Sequence, residues 1–511
     1  MTTWTDGYVA EIGYLYGYYG ELNPRRCQLA FLHSGLQPPQ IYNACELGFG
    51  QGVSINLHGA ASGIPWFGTD FNPAQVSFAQ DLAAQSGAAV HLADDTFADY
   101  VRRDGLPLFD YIGLHGIWSW INESNRQVIV DFIRCKLKPG GIVYISYNSQ
   151  PGWAAMIPWR ELLTTHANRM GAPGLPIAAR IDQAMGFARD LMAANPLYAQ
   201  ANPIVAKRFE DMGKQDRHYL AHEYFNRDWL PMSVMQLSAQ LKEARLDYAC
   251  SAHYLDHIDA LNLTSEQQQL LSKIHDPIMK EMVRDFCMNQ QFRRDYWSKG
   301  LRRLAPLEQA AALREHVVIL TQHPQDISLK IKGALGEAVM NESVYGPILE
   351  YLGDWKPRSI QQIEQALASR NITLIQIVQA VLVLSGSGSL AACQDEKTIE
   401  TAQVYTDRLN QHICDMARSR SEISFLASPV IGGGVPVNRI HQLFLLAVRL
   451  GHTEPQQWAQ YAWQILGSQG QKLVKEGKTL ESTEDNLAEL SRNAQEFAEK
   501  RLPVLKALAV G

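Results

Sequence analysis

The sequence has no long apolar run and no excess of basic residues. A membrane-spanning helix needs roughly 20 consecutive apolar residues, and a general nucleic-acid binder carries a basic stripe. The chain instead has a formal net charge of −6, so we expect neither membrane insertion nor a nucleic-acid partner. The N-terminus also lacks the basic and apolar regions of a signal peptide, which predicts a cytoplasmic protein.

Cysteine is scarce as well. The seven cysteines are scattered along 511 residues, and no two of them form a Cys-x-x-Cys pair. This is not the pattern of a disulfide framework or of a zinc site, so we expect reduced thiols and no metal. The length predicts more than one domain, and a content of 46% hydrophobic and 19% charged residues is ordinary for a globular protein.

The most informative stretch is an acid followed by three glycines at alternate positions: Glu46, Gly48, Gly50 and Gly52. Glycine is needed where a backbone turns with positive φ or lets a ligand approach closely. The dinucleotide-binding pattern requires a further glycine at the position of Val53, which disfavours nicotinamide and flavin cofactors. An ordinary loop between a strand and a helix remains the alternative.

The pattern resembles the first motif of the class I S-adenosylmethionine-dependent methyltransferases. In that family the glycines pass under the methionine part of the donor, and the acid helps to hold its ammonium group. A second acid, at the end of the next strand, binds both ribose hydroxyls through charge-assisted hydrogen bonds. Asp70 stands at that point and Phe71 follows it, so the resemblance implies that both contact the donor.

The same resemblance implies donor contacts at two further strand ends. The third predicted strand ends in Asp94 and Asp95, one of which would receive the adenine amino group, although helix N-capping is an equally good interpretation. The fourth ends in His115 and Gly116, where the acceptor would meet the methyl group. The pattern Asn/Asp-Pro-Pro-aromatic, usual for methylation of planar nitrogens, is absent there, which favours amines and oxygens as acceptors.

Tyrosines are concentrated between residues 8 and 19. We interpret this segment as an N-terminal lid that excludes water from the donor, with Tyr14 and Tyr18 as donor contacts. A helical cap whose aromatic rings pack on the sheet is the alternative.

Apolar segments and turn signals alternate from residue 41 as in a doubly wound α/β sheet. The predicted strands lie at residues 42–46, 66–70, 89–92, 109–115 and 141–147. The predicted helices lie near residues 53–61, 73–86, 97–103 and 123–137. Right-handed crossovers bring the carboxyl ends of these strands to one edge, where ligands bind.

The remaining chain predicts four further regions. Residues 155–245 have helical periodicity and form an insertion, with helices at 156–170, 176–193, 196–212 and 229–244. The core begins at residue 1 and is interrupted after residue 154. Residues 246–303 supply its two closing strands and a helix at 265–287. Residues 304–400 resemble a winged helix, with a helical bundle as the alternative. Residues 401–511 are helical, with a mobile glycine-rich loop at 429–435.

Several segments resemble one group within the class, the bacterial methyltransferases with a methyltransferase regulatory domain. The group includes the rickettsial protein lysine methyltransferases that modify outer membrane protein B. The segments are the tyrosine run, residues 137–141, residues 148–153 and residues 219–224. The resemblance implies S-adenosylmethionine as the donor, a dimer in some members, and an open cleft that admits a protein segment with an accessible lysine.

A lysine acceptor must lose its proton, and a partly apolar aromatic site lowers its pKa. We expect His115, Tyr147 and Asn148 to orient the amine or accept its proton. Three tryptophans are candidates for flanking the alkyl stem by cation–π contact: Trp118, Trp120 and Trp153. His222 and Glu223 either reach over the cleft or form a structural pair.

Three functions follow from these observations. The first is a protein lysine N-methyltransferase that acts on surface or outer-membrane-type proteins. The second is a small-molecule or natural-product N- or O-methyltransferase with the insertion as its lid. The third is a non-catalytic S-adenosylmethionine-binding regulatory protein. Size favours the first, because a small substrate does not need so many additional residues.

Overall fold

The computed structural model describes residues 15–170 and 174–511. Its largest sheet has seven strands in the order β3-β2-β1-β4-β5-β7-β6. The strands are β1 Ala44–Leu47, β2 Trp66–Thr69, β3 Val90–Ala93, β4 Phe109–Leu114, β5 Leu137–Asn148, β6 Asp247–Ser251 and β7 Phe292–Ser298. Strands β1 to β5 are parallel, and β7 runs antiparallel to both β5 and β6. The doubly wound sheet predicted from the sequence is confirmed.

The helices between the parallel strands begin where the sequence supplies capping side chains. Asn72 accepts a hydrogen bond from the backbone N–H of Ala74, Thr96 from that of Asp99, and Asn122 caps the helix before β5. The four helices are Val53–Ser62, Pro73–Ser86, Phe97–Tyr100 and Glu123–Lys136. The third is shorter than predicted, and the others agree within a residue or two.

The insertion is helical, as predicted, but it contains more and shorter helices. Asn202 leaves the helical conformation before Pro203, because the residue preceding proline is driven out of that region. The helix predicted at residues 265–287, which follows the insertion, is divided in the same way before Pro277. The α-helices between residues 157 and 288 are Ile157–Arg169, Ile177–Ala193, Leu197–Ala201, Pro203–Gly213, Arg217–Tyr224, Val234–Leu241, Asp259–Asn262, Ser265–Ser272 and Pro277–Met288.

A buried ionic network fastens β7 to its neighbours. The Arg293 guanidinium contacts Asp295 at 2.8 Å, Asp285 at 2.5 Å and Glu281 at 2.8 Å. The Tyr147 hydroxyl, on β5, donates to Asp295 at 2.8 Å. The network therefore joins β5, β7 and the helix Pro277–Met288.

Residues 306–392 form a small antiparallel sheet, a hairpin and four α-helices. The sheet has the order β11-β8-β12, with β8 at Val317–Leu320, β11 at Arg358–Ser359 and β12 at Leu390–Ala392. A hairpin, β9 Lys330–Gly333 and β10 Gly336–Val339, lies between β8 and the helix Glu342–Leu352 in the chain. The helices are Pro306–Glu315, which precedes the sheet, and Glu342–Leu352, Ile360–Ala366 and Leu374–Gly386. The three later helices lie between β8 and β12 in the chain, and the helix Glu396–Met416 follows β12 directly. The winged helix stays a prediction for this region.

The C-terminal region is mainly helical. Its helices are Glu396–Met416, Arg439–Arg449, Pro455–Ser468, Thr483–Glu496, the π-helical turn Phe497–Arg501 and Leu502–Ala507. A short hairpin, β15 Val474–Lys475 and β16 Lys478–Thr479, lies among them. In the described part of the chain, none of the helices combines the length and the apolarity that crossing a bilayer requires.

The prediction of a mobile loop at residues 429–435 is wrong. This segment is the turn of a buried hairpin, β13 Phe425–Ser428 and β14 Gly433–Pro436. The backbone N–H of Gly434 donates to the Tyr18 hydroxyl at 2.7 Å, and a Cβ at Gly434 would lie 2.9 Å from that ring. Glycine is needed here for close approach rather than for flexibility.

Candidate active site

A cavity of about 320 Å³ lies beyond the carboxyl ends of β1 to β4. Most of its wall comes from the loops that follow these strands, which is where ligands bind in open α/β sheets. The N-terminal segment and the helical insertion complete the wall. Residues from distant parts of the chain therefore meet at the edge that the sequence predicts.

The glycine loop after β1 forms the floor of this cavity. Gly48 and Gly50 line it with φ values of 72° and 56°. A Cβ at Gly48 would stand 2.4 Å from Ile117 Cδ1, so a larger residue would push into the next loop. Gly52 does not line the cavity: its Cβ would meet Ala79 at 2.4 Å, which makes it a helix-packing position.

The two predicted donor acids both line the cavity and are both buried. Glu46 is 3% exposed, and its Oε2 has no hydrogen-bond partner among the described residues. Asp70 accepts hydrogen bonds from the backbone N–H groups of Gly50 at 2.8 Å and Asn72 at 3.0 Å. Burial raises the pKa of Glu46 well above its usual value, and the negative charge of Asp70 raises it further. Burial raises the pKa of Asp70 to about 6 against the opposing effect of those N–H groups.

Only one of the two candidate aspartates after β3 lines the cavity. Asp95 lines the cavity together with Phe97, whereas Asp94 is exposed and does not. Asp95 also forms an ion pair with Arg103 at 2.7 Å. Thr96 supplies the N-cap of the following helix, so the alternative in which an aspartate caps it is wrong. Phe71, after β2, lines the cavity as expected.

In the N-terminal segment, the tyrosine that lines the cavity is the next residue after the predicted one. Tyr14 lies outside the described residues, and Tyr18 does not line this cavity. Its hydroxyl lies 3.0 Å from His58 Nε2 and also accepts the bond from β14. Tyr19 lines the cavity instead, with Gly17, because alternate residues of an extended segment face opposite sides.

His115 lies under Tyr19 at the end of β4. The two rings stack with their centroids 4.1 Å apart, and His115 Nδ1 lies 2.8 Å from the Tyr144 hydroxyl. Burial lowers the pKa of His115 to about 4, and the Glu21 charge only partly offsets this effect. The imidazole is therefore neutral at neutral pH. Gly116 also lines the cavity and donates its N–H to Ser146 Oγ at 2.8 Å.

Three of the four predicted catalytic residues do not line the cavity. Trp118 is 0% exposed within the core, and Tyr147 is 1% exposed and held by Asp295. Asn148 is buried, and its backbone N–H donates to Ser119 Oγ at 2.9 Å. Packing holds Trp118 and the ionic network holds Tyr147, so we correct their interpretation from catalytic to structural. Asn148 is buried outside the cavity wall, so its catalytic interpretation is also withdrawn.

Among the other aromatic candidates, Trp120 lines the cavity and Trp153 does not. The Trp153 ring is covered by the Arg208 guanidinium at 4.3 Å, within the insertion. Sequence spacing alone does not distinguish these two environments, since both tryptophans follow strand ends.

The insertion contributes a further part of the cavity wall. Both His222 and Glu223 line it, which agrees with the interpretation that they reach over the cleft. Burial raises the pKa of Glu223 to about 7. Sequence reasoning missed several further wall residues, which carry no motif or spacing signal: Gln51, Asn122, Asn125, Asn226 and Asp228.

Acids are the most numerous ionisable residues on the described wall. Five carboxylates line the cavity, while that wall contains no lysine and no arginine: Glu46, Asp70, Asp95, Glu223 and Asp228. Two of them already have an arginine partner outside the wall, Asp95 in Arg103 at 2.7 Å and Asp228 in Arg227 at 2.8 Å. Several of these acids are buried, so solvent screens them less than surface charges. Such a site favours cationic ligands and disfavours phosphate-bearing ones.

Residues 216–299 match the family described as a predicted methyltransferase regulatory domain. The uncharacterized protein sll1526 of Synechocystis sp. is 40% identical over 515 residues, which cover 99% of this chain and all of the relative. The structure of PKMT2 from Rickettsia typhi in complex with AdoHcy superposes with a TM-score of 0.68 at 15% identity, over 97% of this chain and 100% of that one. This chain belongs to the class I methyltransferases with a regulatory domain.

Members of this class take their methyl group from S-adenosylmethionine. The residues of this methyltransferase fit that donor, since the unpartnered Glu46 oxygen suits its ammonium group and the glycine loop leaves room where a Cβ would not fit. The uncharacterized protein RP789 of Rickettsia prowazekii is a more distant relative, 25% identical over 54% of this chain and 49% of its own length.

Proposed function

We propose that this methyltransferase transfers the methyl group of S-adenosylmethionine to the side-chain amine of a protein lysine. The observation that carries the proposal is the wall of five carboxylates without a described cationic residue. Both the donor, with its sulfonium and ammonium groups, and a protonated lysine are cations, so both gain from this field. The chain shares its fold with PKMT2 of Rickettsia typhi, and its sequence resembles the rickettsial protein lysine methyltransferases, which supports a lysine acceptor.

The donor contacts we propose follow the strand ends. Glu46 holds the ammonium group, Asp70 the ribose hydroxyls, and Asp95 with Phe97 the adenine ring. The backbone of the glycine loop passes beneath the methionine part. When bound, the donor supplies an activated sulfonium methyl group, which a neutral amine takes up in line with the breaking carbon–sulfur bond.

On the acceptor side, the lysine must arrive charged and react neutral. The carboxylates attract the ammonium form, and Tyr19 and Trp120 offer aromatic surface for its alkyl stem. Glu223 then accepts the proton, because a pKa of about 7 matches a base that works near neutral pH. His115, neutral and stacked under Tyr19, orients the free amine.

Replacing Glu223 with glutamine tests this assignment. We expect kcat to fall roughly 100-fold or more, as is usual when a general base is removed, while the affinity for AdoHcy, the demethylated donor, stays within about twofold. The limb of the pH–rate profile near pH 7 should also disappear. Glu161→Gln, an exposed acid of the insertion, is the matched control. An unchanged kcat, or an equal loss of AdoHcy affinity, would remove Glu223 from this role.

Donor affinity should depend on pH through the buried acids. Asp70 has a pKa of about 6 and Glu46 a raised pKa, and both bind the donor in their ionised forms. The affinity for S-adenosylmethionine should therefore be constant at high pH and fall by at least about tenfold per unit below pH 6, with protons released on binding. Calorimetry between pH 5 and 8, in buffers of different ionisation enthalpy, measures both effects. A flat affinity over this range would contradict the assignment.

The acceptor class is decided by labelling. The protein is incubated with methyl-labelled donor and either cell lysate or a metabolite extract, and the label is located by mass spectrometry. Label on lysine side chains supports the proposal. Label in the low-mass fraction supports a small-molecule methyltransferase, and donor binding without any transfer supports a regulatory protein.

We also propose a cytoplasmic location, because all seven cysteines are free thiols and most of them are buried. A homodimer is a further proposal, made from the family resemblance alone. Analytical ultracentrifugation of the full chain tests it directly.

A further inference from the structure

A second and larger cavity, of about 730 Å³, lies on the other side of the N-terminal segment. Its wall comes from residues 18–29, from the end of the small β11-β8-β12 sheet, and from the β13-β14 hairpin with the helical turn at Arg501. None of the donor contacts proposed above belongs to it. The volume lies within the range of small-molecule sites, which is roughly 300–1,000 Å³.

Its charge is opposite to that of the first cavity. Four cationic side chains line it, and Asp326 is the one carboxylate on its described wall: Arg25, Arg26, Lys500 and Arg501. Asp326 is already paired with Lys500 at 3.2 Å. The three arginines therefore leave a net positive wall.

The arginines have no carboxylate partner of their own in the described chain. Arg25 Nε donates to the backbone carbonyl of Cys393 at 3.0 Å. Arg501 donates to two backbone carbonyls, those of Thr321 at 2.9 Å and Pro436 at 2.6 Å.

Arg26 is half-buried and packs against an aromatic ring. Its guanidinium lies 4.4 Å from the centre of the Tyr254 ring, and its Nε has no hydrogen-bond partner among the described residues. Glu21 acts on its charge, but that carboxylate forms its ion pair with Arg294 at 2.7 Å. Burial lowers the pKa of Arg26, but its neighbours Tyr254 and Glu21 raise it further than burial lowers it, so Arg26 contributes a positive charge to the cavity wall.

A buried histidine adds an independent observation. His316 is 2% exposed and lines the cavity, and neither of its ring nitrogens has a partner in the described part of the chain. Burial lowers its pKa to about 4, and the Arg25 charge adds to this effect. Even a neutral imidazole carries one N–H donor, and a buried donor without an acceptor is rare in native structures.

We propose that this second cavity binds a small organic anion through a phosphate or carboxylate group, which Arg25, Arg26 and Arg501 hold and His316 donates to. Arginine is the side chain that binds both groups with paired N–H donors. The size of the cavity fits an organic molecule larger than a single inorganic ion. The ligand is separate from donor and acceptor, because none of the contacts proposed for those two lines this cavity.

The test measures binding of ribose 5-phosphate and of citrate to the full chain by calorimetry at constant ionic strength, with neutral ribose as the reference. We expect saturable binding of at least one anion, a rise in the melting temperature, and no response to ribose. The anion that binds shows whether the cavity recognises a phosphate or a carboxylate group. Absence of saturable binding by both anions would overturn the proposal.

Variants then locate the site. Arg25→Gln and Arg501→Gln should each weaken binding of that anion by at least tenfold, whereas Arg370→Gln, an exposed arginine away from the cavity, should leave it unchanged. The melting temperature of each variant without ligand shows whether it folds. Crystals of the unaltered protein soaked with the same anion give a readout that does not depend on the variants, and electron density elsewhere would overturn the assignment.

Discussion

Replacing Asp70 with alanine is expected to lower the affinity for S-adenosylmethionine by at least about 100-fold. The carboxylate accepts the backbone N–H groups of Gly50 and Asn72, so it holds the glycine loop in the shape that lines the cavity. In the proposed complex it also receives both ribose hydroxyls. Each charge-assisted bond contributes about 1.5–3 kcal/mol, and two of them correspond to a loss of roughly 100-fold or more. Calorimetric titration with AdoHcy measures the change.

Asp104→Ala is the matched control for this variant, because Asp104 is an exposed aspartate outside the cavity. Its donor affinity should equal that of the unaltered protein. Asp70→Asn separates the two roles of the residue, since the amide oxygen can still accept an N–H bond while the charge is lost. If Asp70→Ala bound AdoHcy with unchanged affinity, the donor would not lie against the end of β2.

Replacing Arg293 with methionine is expected to destabilise the sheet by about 3–5 kcal/mol, the usual cost of removing one partner from a buried ion pair. Three carboxylates surround this guanidinium, and the variant would leave them without a buried cation. Because Asp295 also holds Tyr147 on β5, the loss should spread across the junction of β5 and β7. Urea unfolding followed by tryptophan fluorescence measures the shift of the midpoint.

The control for this prediction is Arg302→Met, which removes an exposed arginine a few residues after β7. We expect its unfolding midpoint to differ little from that of the unaltered chain. Equal stability of the two variants would mean that the network contributes nothing to the junction. AdoHcy binding by folded Arg293→Met protein should remain, because the network lies outside the donor cavity.

The sequence predicted the parts of this molecule that depend on local chemistry. Alternating glycines between an acid and a helix have few structural uses, and Glu46, Gly48 and Asp70 all lie on the predicted edge of the sheet. The closing strands were also predicted across the insertion, because alternation of polar and apolar residues is visible over as few as five positions. These features are encoded within short windows of the chain.

The direction of single side chains was not predictable in the same way. Tyr18 and Tyr19 are neighbours of the same type, yet they face different cavities. Trp118 and Tyr147 stand at the expected strand ends, but long-range packing and the Arg293 network turn them into the core. Such outcomes depend on partners far away in sequence, which no local pattern records.

The position of β7 has a consequence for how the chain folds as it is made. Residues Ile142–Asn148 of strand β5 pair with β7, which leaves the ribosome roughly 140 residues later, or roughly 7–30 s at usual rates of synthesis. During this interval the edge of β5 has no neighbour, and an open edge is a template for pairing with other chains. The nascent protein should therefore depend on chaperones at this stage of translation, and the whole regulatory region must be synthesised before the catalytic sheet is complete.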